Sequence, residues 1–197
     1  SIYGSFVCAE RIATELGCER PHWSEARARL SDCLRGDLRV FDGADLPERA
    51  GRYAMDWYYP VLGGALRGEA GRRRMTDPFW MERFYVDGLG CRCVADNRKW
   101  FTVAESSELV MSYDAVGLTR RGREIFATLQ KMRRADGGYW RGWTMPTGVV
   151  WPLEPTTYTA AAVVVANDAL ARRTRTSAFF REISGEDAIS TQRLAAS

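Results

Sequence analysis

The sequence is poor in histidine, since His22 is the only one among its 197 residues. A single histidine argues against Ser-His-Asp and Cys-His catalytic sites, which need an imidazole as general base. It also leaves the pair Cys91-x-Cys93, whose spacing differs from that of the usual zinc knuckle, without nearby histidine ligands. The sequence has no glycine-rich loop of the kind that cradles phosphate groups. We therefore expect no metal site and no other cofactor.

The sequence also lacks long apolar runs and an excess of one charge. Its longest apolar run, residues 160–166, stops at Asn167, far short of the roughly 18 residues that a membrane-spanning helix needs. The 28 basic and 25 acidic residues alternate along the chain and leave a net charge of +3. Because they form no basic stripe, we expect neither a membrane span nor a nucleic-acid partner.

The cysteine content gives no disulfide framework, because the five cysteines are odd in number and irregularly spaced. Free thiols are typical of a reducing compartment, so we expect a cytoplasmic protein. The chain opens at Ser1, inside an apparent helix and without an initiator methionine. We therefore expect the N-terminal part of the domain to be missing.

A repeat of about fifty residues is the most informative feature of the chain. Four segments are apolar nearly all round and rich in alanine, glycine and aromatic residues, which predicts buried inner helices. The last two segments align at an offset that places Thr102 over Thr156 as N-caps and Asp114 over Asp168. The first three segments end on glycine, a common helix terminator. The four segments are residues 2–17, 52–68, 101–117 and 155–171.

Amphipathic stretches with a single apolar stripe lie between these segments, as is typical of surface helices. One contains Trp23 and Leu30, a second begins at Asp77 and runs through Phe84, and a third contains Ile125. Inner and outer helices therefore alternate, and stacked helical pairs complete each other's core.

The alternation predicts an all-α fold, an α/α toroid of helical hairpins in which residues 1–171 form a partial ring. We expect about four inner helices and three to four outer helices, and no competing strands. The polar residues 172–197 are expected to form one frayed helix and then a disordered tail.

Three stretches resemble the superfamily of terpene cyclases and protein prenyltransferases. Leu129-Gln130, followed by Asp136-Gly-Gly-Tyr-Trp140, resembles its Gln…Gly…Trp repeat motif. Residues 139–161 and 52–64 are similar to actinobacterial prenyltransferase-like proteins. The resemblance covers most of residues 1–171 and implies the toroid fold, with a transferase or cyclase activity.

The chain also departs from that superfamily. The Asp-x-Asp-Asp acid motif of class II terpene cyclases is absent, and so is the Asp, Cys and His zinc set of protein prenyltransferases. A closed toroid of this family contains more hairpins than this chain supplies. We therefore expect an apolar seam on the uncovered flanks of residues 2–17 and 155–171, through which the protein could self-associate.

Three carboxylates are our catalytic candidates, namely Asp56, Glu105 and Glu154. Two long segments, residues 85–100 and 134–154, lead into inner helices and are expected to meet on one rim of a central cavity. Glu105 and Glu154 lie near inner-helix starts, and Asp56 lies among aromatic residues, a setting that suits proton donation. The alternative is that they serve as a helix cap, a partner of a helix dipole and a solvated side chain.

Aromatic and charged residues near this rim are the substrate-binding candidates. Aromatic rings can stack on a sugar or stabilise a carbocation, and arginines can hold a diphosphate or a carboxylated sugar. The alternative is that the rings pack the loops onto the domain and that the charges are solvated. The candidates are Trp57, Tyr58, Arg92, Asp96, Tyr139, Trp143 and Trp151.

Three functions fit these features, each with a small-molecule partner. The first is a prenyltransferase- or terpene-cyclase-like enzyme acting on an isoprenoid or similar apolar substrate by acid and cation–π chemistry. The second is a carbohydrate-active six-hairpin enzyme, a glycoside hydrolase or uronyl lyase, since paired carboxylates and tryptophans suit a sugar. The third is a non-catalytic toroid that binds a lipid or a glycan.

Overall fold

The computed structural model describes residues 2–36, 51–95, 100–145 and 147–183. These residues form helices and one small antiparallel sheet, whose strands follow the order β1-β2-β3-β4. The helices are α1 (Ile2–Glu15), α2 (Pro21–Gly36), α3 (Ala54–Leu62), α4 (Gly68–Thr76), α5 (Pro78–Phe84), α6 (Val103–Ala115), α7 (Thr119–Leu129), α8 (Thr157–Ala171) and α9 (Phe179–Glu182). The strands are β1 (Tyr85–Val86), β2 (Gly90–Arg92), β3 (Trp100–Thr102) and β4 (Gly142–Thr144).

The helices α1, α3, α6 and α8 lie inside the four segments predicted as inner helices. The second outer helix, α5, is capped as predicted by Asp77, whose side chain accepts a hydrogen bond from the backbone N–H of Phe79. Thr156 caps α8 by accepting a hydrogen bond from the N–H of Thr159. Thr102 occupies the predicted N-cap position of α6 with an extended backbone, although its side chain makes no capping hydrogen bond.

The small sheet corrects the prediction of a fold without strands. It forms from the two long segments that lead into α6 and α8, with Cys91 opposite Thr102 and Phe101 opposite Trp143. Gly142 permits this close pairing, since a Cβ at that position would collide with the carbonyl oxygen of Phe101. Each strand has two or three residues, too few for an alternating pattern to stand out in the sequence.

Helix α6 is the centre of the hydrophobic core, and its predicted burial is confirmed. Its residues from Val103 to Asp114 are buried with the exception of Glu105, and it packs against α3, α7 and α8. Buried hydroxyls on α6 bond to its own backbone, as Ser112 does with the carbonyl of Glu108 at 2.9 Å. Because the buried serine hydroxyls of α6 bond to the helix backbone, they are tolerated in the core.

Helices α1 and α8 flank this core and are less completely buried. A second, smaller cluster holds α1 through Tyr3 and Val7, which pack with Ala65 and Ile183. The flanking helices expose large apolar side chains. These side chains are Ile2, Ile12 and Leu16 on or next to α1, and Tyr158, Val164 and Val165 on α8. Of the helices in the described ranges, none has the length and apolarity needed to cross a membrane.

The ends of α6 and α8 carry aspartates that the sequence alignment pairs. The buried Asp114 accepts a hydrogen bond from the Thr119 hydroxyl at 2.9 Å and forms an ion pair with Arg181. Asp168 accepts a hydrogen bond from the Thr174 hydroxyl at 2.6 Å. Both aspartates therefore tie the following stretch of chain to a helix end, and Asp114 also anchors α9 to the core.

We predict that Asp114→Asn lowers the free energy of unfolding by about 2–4 kcal/mol, because it leaves Arg181 without its charged partner at a buried position. Arg172→Gln is the matched control, since Arg172 is largely exposed and lies 3.6 Å from the same carboxylate. A surface ion pair of that kind is worth less than about 1 kcal/mol. Urea unfolding measures both values, and equal small losses would contradict a structural role for Asp114.

Candidate active site

A buried carboxylate, Glu108, lies in the middle of α6 and is only 8% exposed. Three tyrosine hydroxyls donate hydrogen bonds to it. Tyr58 bonds to Oε2 at 2.6 Å, while Tyr158 and Tyr59 bond to Oε1 at 2.6 Å and 3.3 Å. An ionised carboxylate only accepts hydrogen bonds, so three phenol donors match its capacity and offset the cost of its burial.

Three helices position these side chains. Glu108 belongs to α6, Tyr58 and Tyr59 belong to α3, and Tyr158 belongs to the first turn of α8. Tyr58 is fully buried, whereas Tyr158 is 57% exposed. The hydrogen-bonded group therefore extends from the core to the surface, where a ligand can reach it.

The negative charge near these tyrosines alters their acidity. Burial, together with the charge of Glu108, raises the pKa of Tyr59 to about 12. The same two causes raise the pKa of Tyr58 well above its ordinary value. Burial and the hydrogen bond to Glu108 also raise the pKa of Tyr158. The three phenols therefore stay protonated and remain donors at neutral pH.

A second carboxylate, the predicted candidate Glu105, lies one turn before Glu108 on the same helix, and residues three apart on a helix share a face. Burial, and then the charge of Glu105, raise the pKa of the Cys93 thiol to about 12, and the thiol is hydrogen-bonded to Glu105. The charge of Glu108 also raises the pKa of the Cys93 thiol, so both carboxylates act on this thiol. We call Glu105, Glu108, Cys93, Tyr58, Tyr59 and Tyr158 the carboxylate cluster.

Next to this cluster, β3 and the segment after β4 form an aromatic rim. Trp100 donates its indole N–H to the carbonyl of Trp151 at 2.8 Å, and the two rings meet edge to face with centroids 5.2 Å apart. The guanidinium of Arg141 lies 5.8 Å from the Trp100 ring and pairs with Glu154 at 2.7 Å. Trp151 is exposed. The charge of Arg141 also acts on the Cys93 thiol, which places this rim beside the cluster.

Backbone hydrogen bonds fix the rim and the cluster to each other. The N–H of Val103, at the start of α6, donates to the carbonyl of Arg141 at 3.0 Å. The N–H of Ala54, at the start of α3, donates to the carbonyl of Cys93 at 3.0 Å. The residues next to strands β2 and β4 therefore fix the N-terminal ends of α3 and α6 relative to the sheet.

The three predicted catalytic carboxylates take different positions. Glu105 belongs to the carboxylate cluster, and Glu154 lies at the rim in its ion pair with Arg141. Asp56 is half-buried in the first turn of α3, and its backbone carbonyl accepts a hydrogen bond from Arg74 at 2.7 Å. The structure thus gives two of the candidates positions in or beside one site.

Three predicted substrate-binding aromatics lie in the core. Trp57 is fully buried and donates its indole N–H to the backbone carbonyl of Arg74 at 2.8 Å. Trp143 packs on Phe101 with ring centroids 4.1 Å apart. Tyr139 is also buried. These rings build the scaffold beneath the rim.

The other predicted binding residues are more dispersed. Tyr58 belongs to the carboxylate cluster, and Trp151 lies at the aromatic rim. Arg92 is half-buried at the end of β2, next to Cys91. Asp96 lies outside the described residues.

Sequence reasoning missed Glu108, Tyr59 and Tyr158. A signal for Glu108 exists, because it is a charged residue in the middle of a stretch that is otherwise apolar nearly all round, three residues after Glu105. All five cysteines are free thiols. Within the described ranges, no group of three or more histidine, cysteine, aspartate or glutamate side chains could hold a metal ion.

No protein-family model matches the chain. The chain is similar to the MMP endo-(1,4)-3-O-methyl-alpha-D-mannosidase of Mycolicibacterium hassiacum, with 44% identity over 183 residues. The similarity covers 93% of this chain and 48% of that mannosidase. The chain therefore spans about half the length of the curated relative it matches.

This similarity overturns the resemblance to prenyltransferase-like proteins and terpenoid cyclases. The relative is a glycosidase, so the transferase and cyclase activities implied by the resemblance are wrong. Of the three functions considered from the sequence, the carbohydrate-active alternative is the one that the similarity favours.

We predict that Glu108→Gln lowers the pH at which the cluster tyrosines ionise, because it removes the negative charge that opposes tyrosinate formation. In the wild type, Tyr59 should ionise near pH 12 instead of its ordinary value of 10. A spectrophotometric titration of tyrosinate absorbance measures both proteins, and Tyr59→Phe identifies the contribution of Tyr59.

The sign of the linked effect on stability follows from the raised pKa. A tyrosine that stays protonated in the folded state contributes stability that is present below pH 10 and is lost as the pH rises towards 12. The free energy of unfolding of the wild type should therefore fall across this window, and more steeply than that of Glu108→Gln. Identical titrations of the two proteins would contradict the assigned cluster.

Proposed function

We propose that the protein is a glycoside hydrolase that cleaves inside an α-mannoside glycan, as its relative's name describes for (1,4)-linked 3-O-methyl-α-D-mannose. The observation that carries this proposal is the pair of carboxylates on one face of α6, next to an exposed aromatic rim. Hydrolysis of a glycosidic bond generally uses two carboxyl groups near the scissile bond. The cluster supplies two such groups, one turn of helix apart.

Each carboxylate is assigned a role by its surroundings. Glu108 accepts three hydrogen bonds from phenols, which stabilise its negative charge, so it serves as the anionic group facing the positively charged transition state. Glu105 lies one turn away on the same face of α6, so we assign it the role of the general acid that protonates the leaving glycosidic oxygen, while water supplies the hydroxyl that completes hydrolysis.

The aromatic rim provides a surface for the glycan. Pyranose rings have an apolar face that packs on an aromatic side chain, and Trp151 is exposed beside the cluster. Trp100 holds Trp151 in position through a hydrogen bond and a ring contact, and Arg141 lies over the Trp100 ring. The proposal places one sugar of the glycan on Trp151 and the scissile bond at Glu105 and Glu108.

The proposal extends to the architecture and the location. We infer that the helical pairs belong to an α/α toroid whose cavity contains the carboxylate cluster, because the inner and outer helices alternate along the chain. We infer a cytoplasmic location from the five free thiols.

We predict that Glu108→Gln reduces the rate of hydrolysis by about a thousandfold or more, because an amide keeps the shape of the side chain but can neither carry the charge nor exchange a proton. Glu105→Gln should cause a loss of similar size. The measurement is reducing-end release from an oligosaccharide of α-(1,4)-linked 3-O-methyl-mannose.

Glu69→Gln is the matched control, since Glu69 is an exposed glutamate on α4 that pairs with Arg73. It should keep the wild-type rate, and thermal unfolding should show that all variants remain folded. Wild-type turnover by Glu108→Gln would refute the assigned role, and a wild type that binds the glycan without cleaving it would refute hydrolysis.

A further inference from the structure

A cavity of about 570 Å³ lies between α1, the end of α3 and α9. Small residues on α1, among them Gly4 and Ala9, line one side, and Leu62, Phe179 and Ile183 line the other. This volume is within the range of pockets that hold small ligands. Neither the assigned carboxylates nor the aromatic rim occupies this space.

The cavity and the carboxylate cluster share one side chain. Tyr59 lines the cavity, and its hydroxyl donates to Oε1 of Glu108 at 3.3 Å. One residue therefore forms both a wall of the cavity and a contact to the assigned catalytic carboxylate.

The wall formed by α9 is fixed to the rest of the fold. Arg11 on α1 donates to the backbone carbonyl of Glu182 at 2.8 Å, and Arg181 pairs with the buried Asp114. The cavity is therefore bounded by anchored elements, and its shape can discriminate between ligands.

The chemistry of the wall does not suit an unmodified sugar. Among the described residues that line the cavity, the side-chain hydroxyls are those of Ser5 and Tyr59, and no lining side chain is charged. Sugar hydroxyls placed against such a wall would lose hydrogen bonds to water without finding partners. A methyl ether removes one hydroxyl donor and adds an apolar group, which gains from burial on an apolar wall.

We propose that this cavity is the subsite for the O-methyl groups of a methylated glycan, with Ile12 and Phe179 as specificity-determining residues. The inference rests on the proposed function, since it places the glycan at Glu108. It adds the selection of methylated over unmethylated sugar and the residues responsible for it.

The test compares kcat/KM for α-(1,4)-linked manno-oligosaccharides with and without 3-O-methyl groups. Ile12→Asn and Phe179→Ser should each lower the ratio of the two kcat/KM values by about tenfold, the discrimination that a single methyl group gains in an apolar pocket. Ile2→Asn is the matched control, because Ile2 is on the same helix, is 71% exposed against 59% for Ile12, and does not line the cavity. This control should leave the ratio unchanged.

A binding arm separates failure of the subsite from failure of the proposed function. Calorimetric titration of Glu108→Gln with the same two oligosaccharides should show tighter binding of the methylated one, and adding Ile12→Asn should abolish the difference. If the wild type hydrolyses both glycans but the ratio stays the same in Ile12→Asn and Phe179→Ser, the subsite is refuted and hydrolysis stands. If no glycan is cleaved while the methylated one still binds in an Ile12-dependent manner, hydrolysis is refuted and the subsite stands.

Discussion

The buried Glu108 carboxylate on α6 requires hydrogen-bond donors from the helices around it, because a charge in the core is stable only when its oxygens are hydrogen-bonded. Tyr58 and Tyr59 donate these hydrogen bonds from α3, and Tyr158 donates one from α8. The same contacts that satisfy the carboxylate therefore fix the positions of the two helices that border α6. The packing of the core and the geometry of the proposed active site therefore depend on the same hydrogen bonds.

Hydrophobic periodicity predicted the helices well, since long apolar or one-sided stretches such as α6 and α7 repeat their pattern over several turns. It missed the sheet, whose strands have two or three residues and depend on pairing between distant segments. It also missed Glu108, because this carboxylate lies in the interior of an apolar helix, away from the loops and helix starts where a site was expected. The partner tyrosines lie 50 residues before and after Glu108, a separation that no local pattern reveals.

The resemblance to prenyltransferases shows that a sequence motif can reflect the local structure of a fold without indicating the reaction that the protein catalyses. Gln130 accepts a hydrogen bond from the Tyr139 hydroxyl at 2.8 Å, and Trp140 packs under the guanidinium of Arg134 at 4.6 Å. These contacts stabilise the turn between α7 and β4 and lie apart from the carboxylate cluster. The motif therefore describes how this turn is built, while the reaction depends on residues outside it.

A crystal structure of Glu108→Gln with an oligosaccharide of α-(1,4)-linked 3-O-methyl-mannose tests the assignment of Glu105 and Glu108 as the catalytic carboxylates. We expect a glycosidic oxygen within hydrogen-bond distance of the side chain of residue 105, an anomeric carbon next to residue 108, and a pyranose face on Trp151. An ordered glycan bound elsewhere, with the three tyrosines still closed over residue 108 and no sugar atom near either side chain, would contradict it.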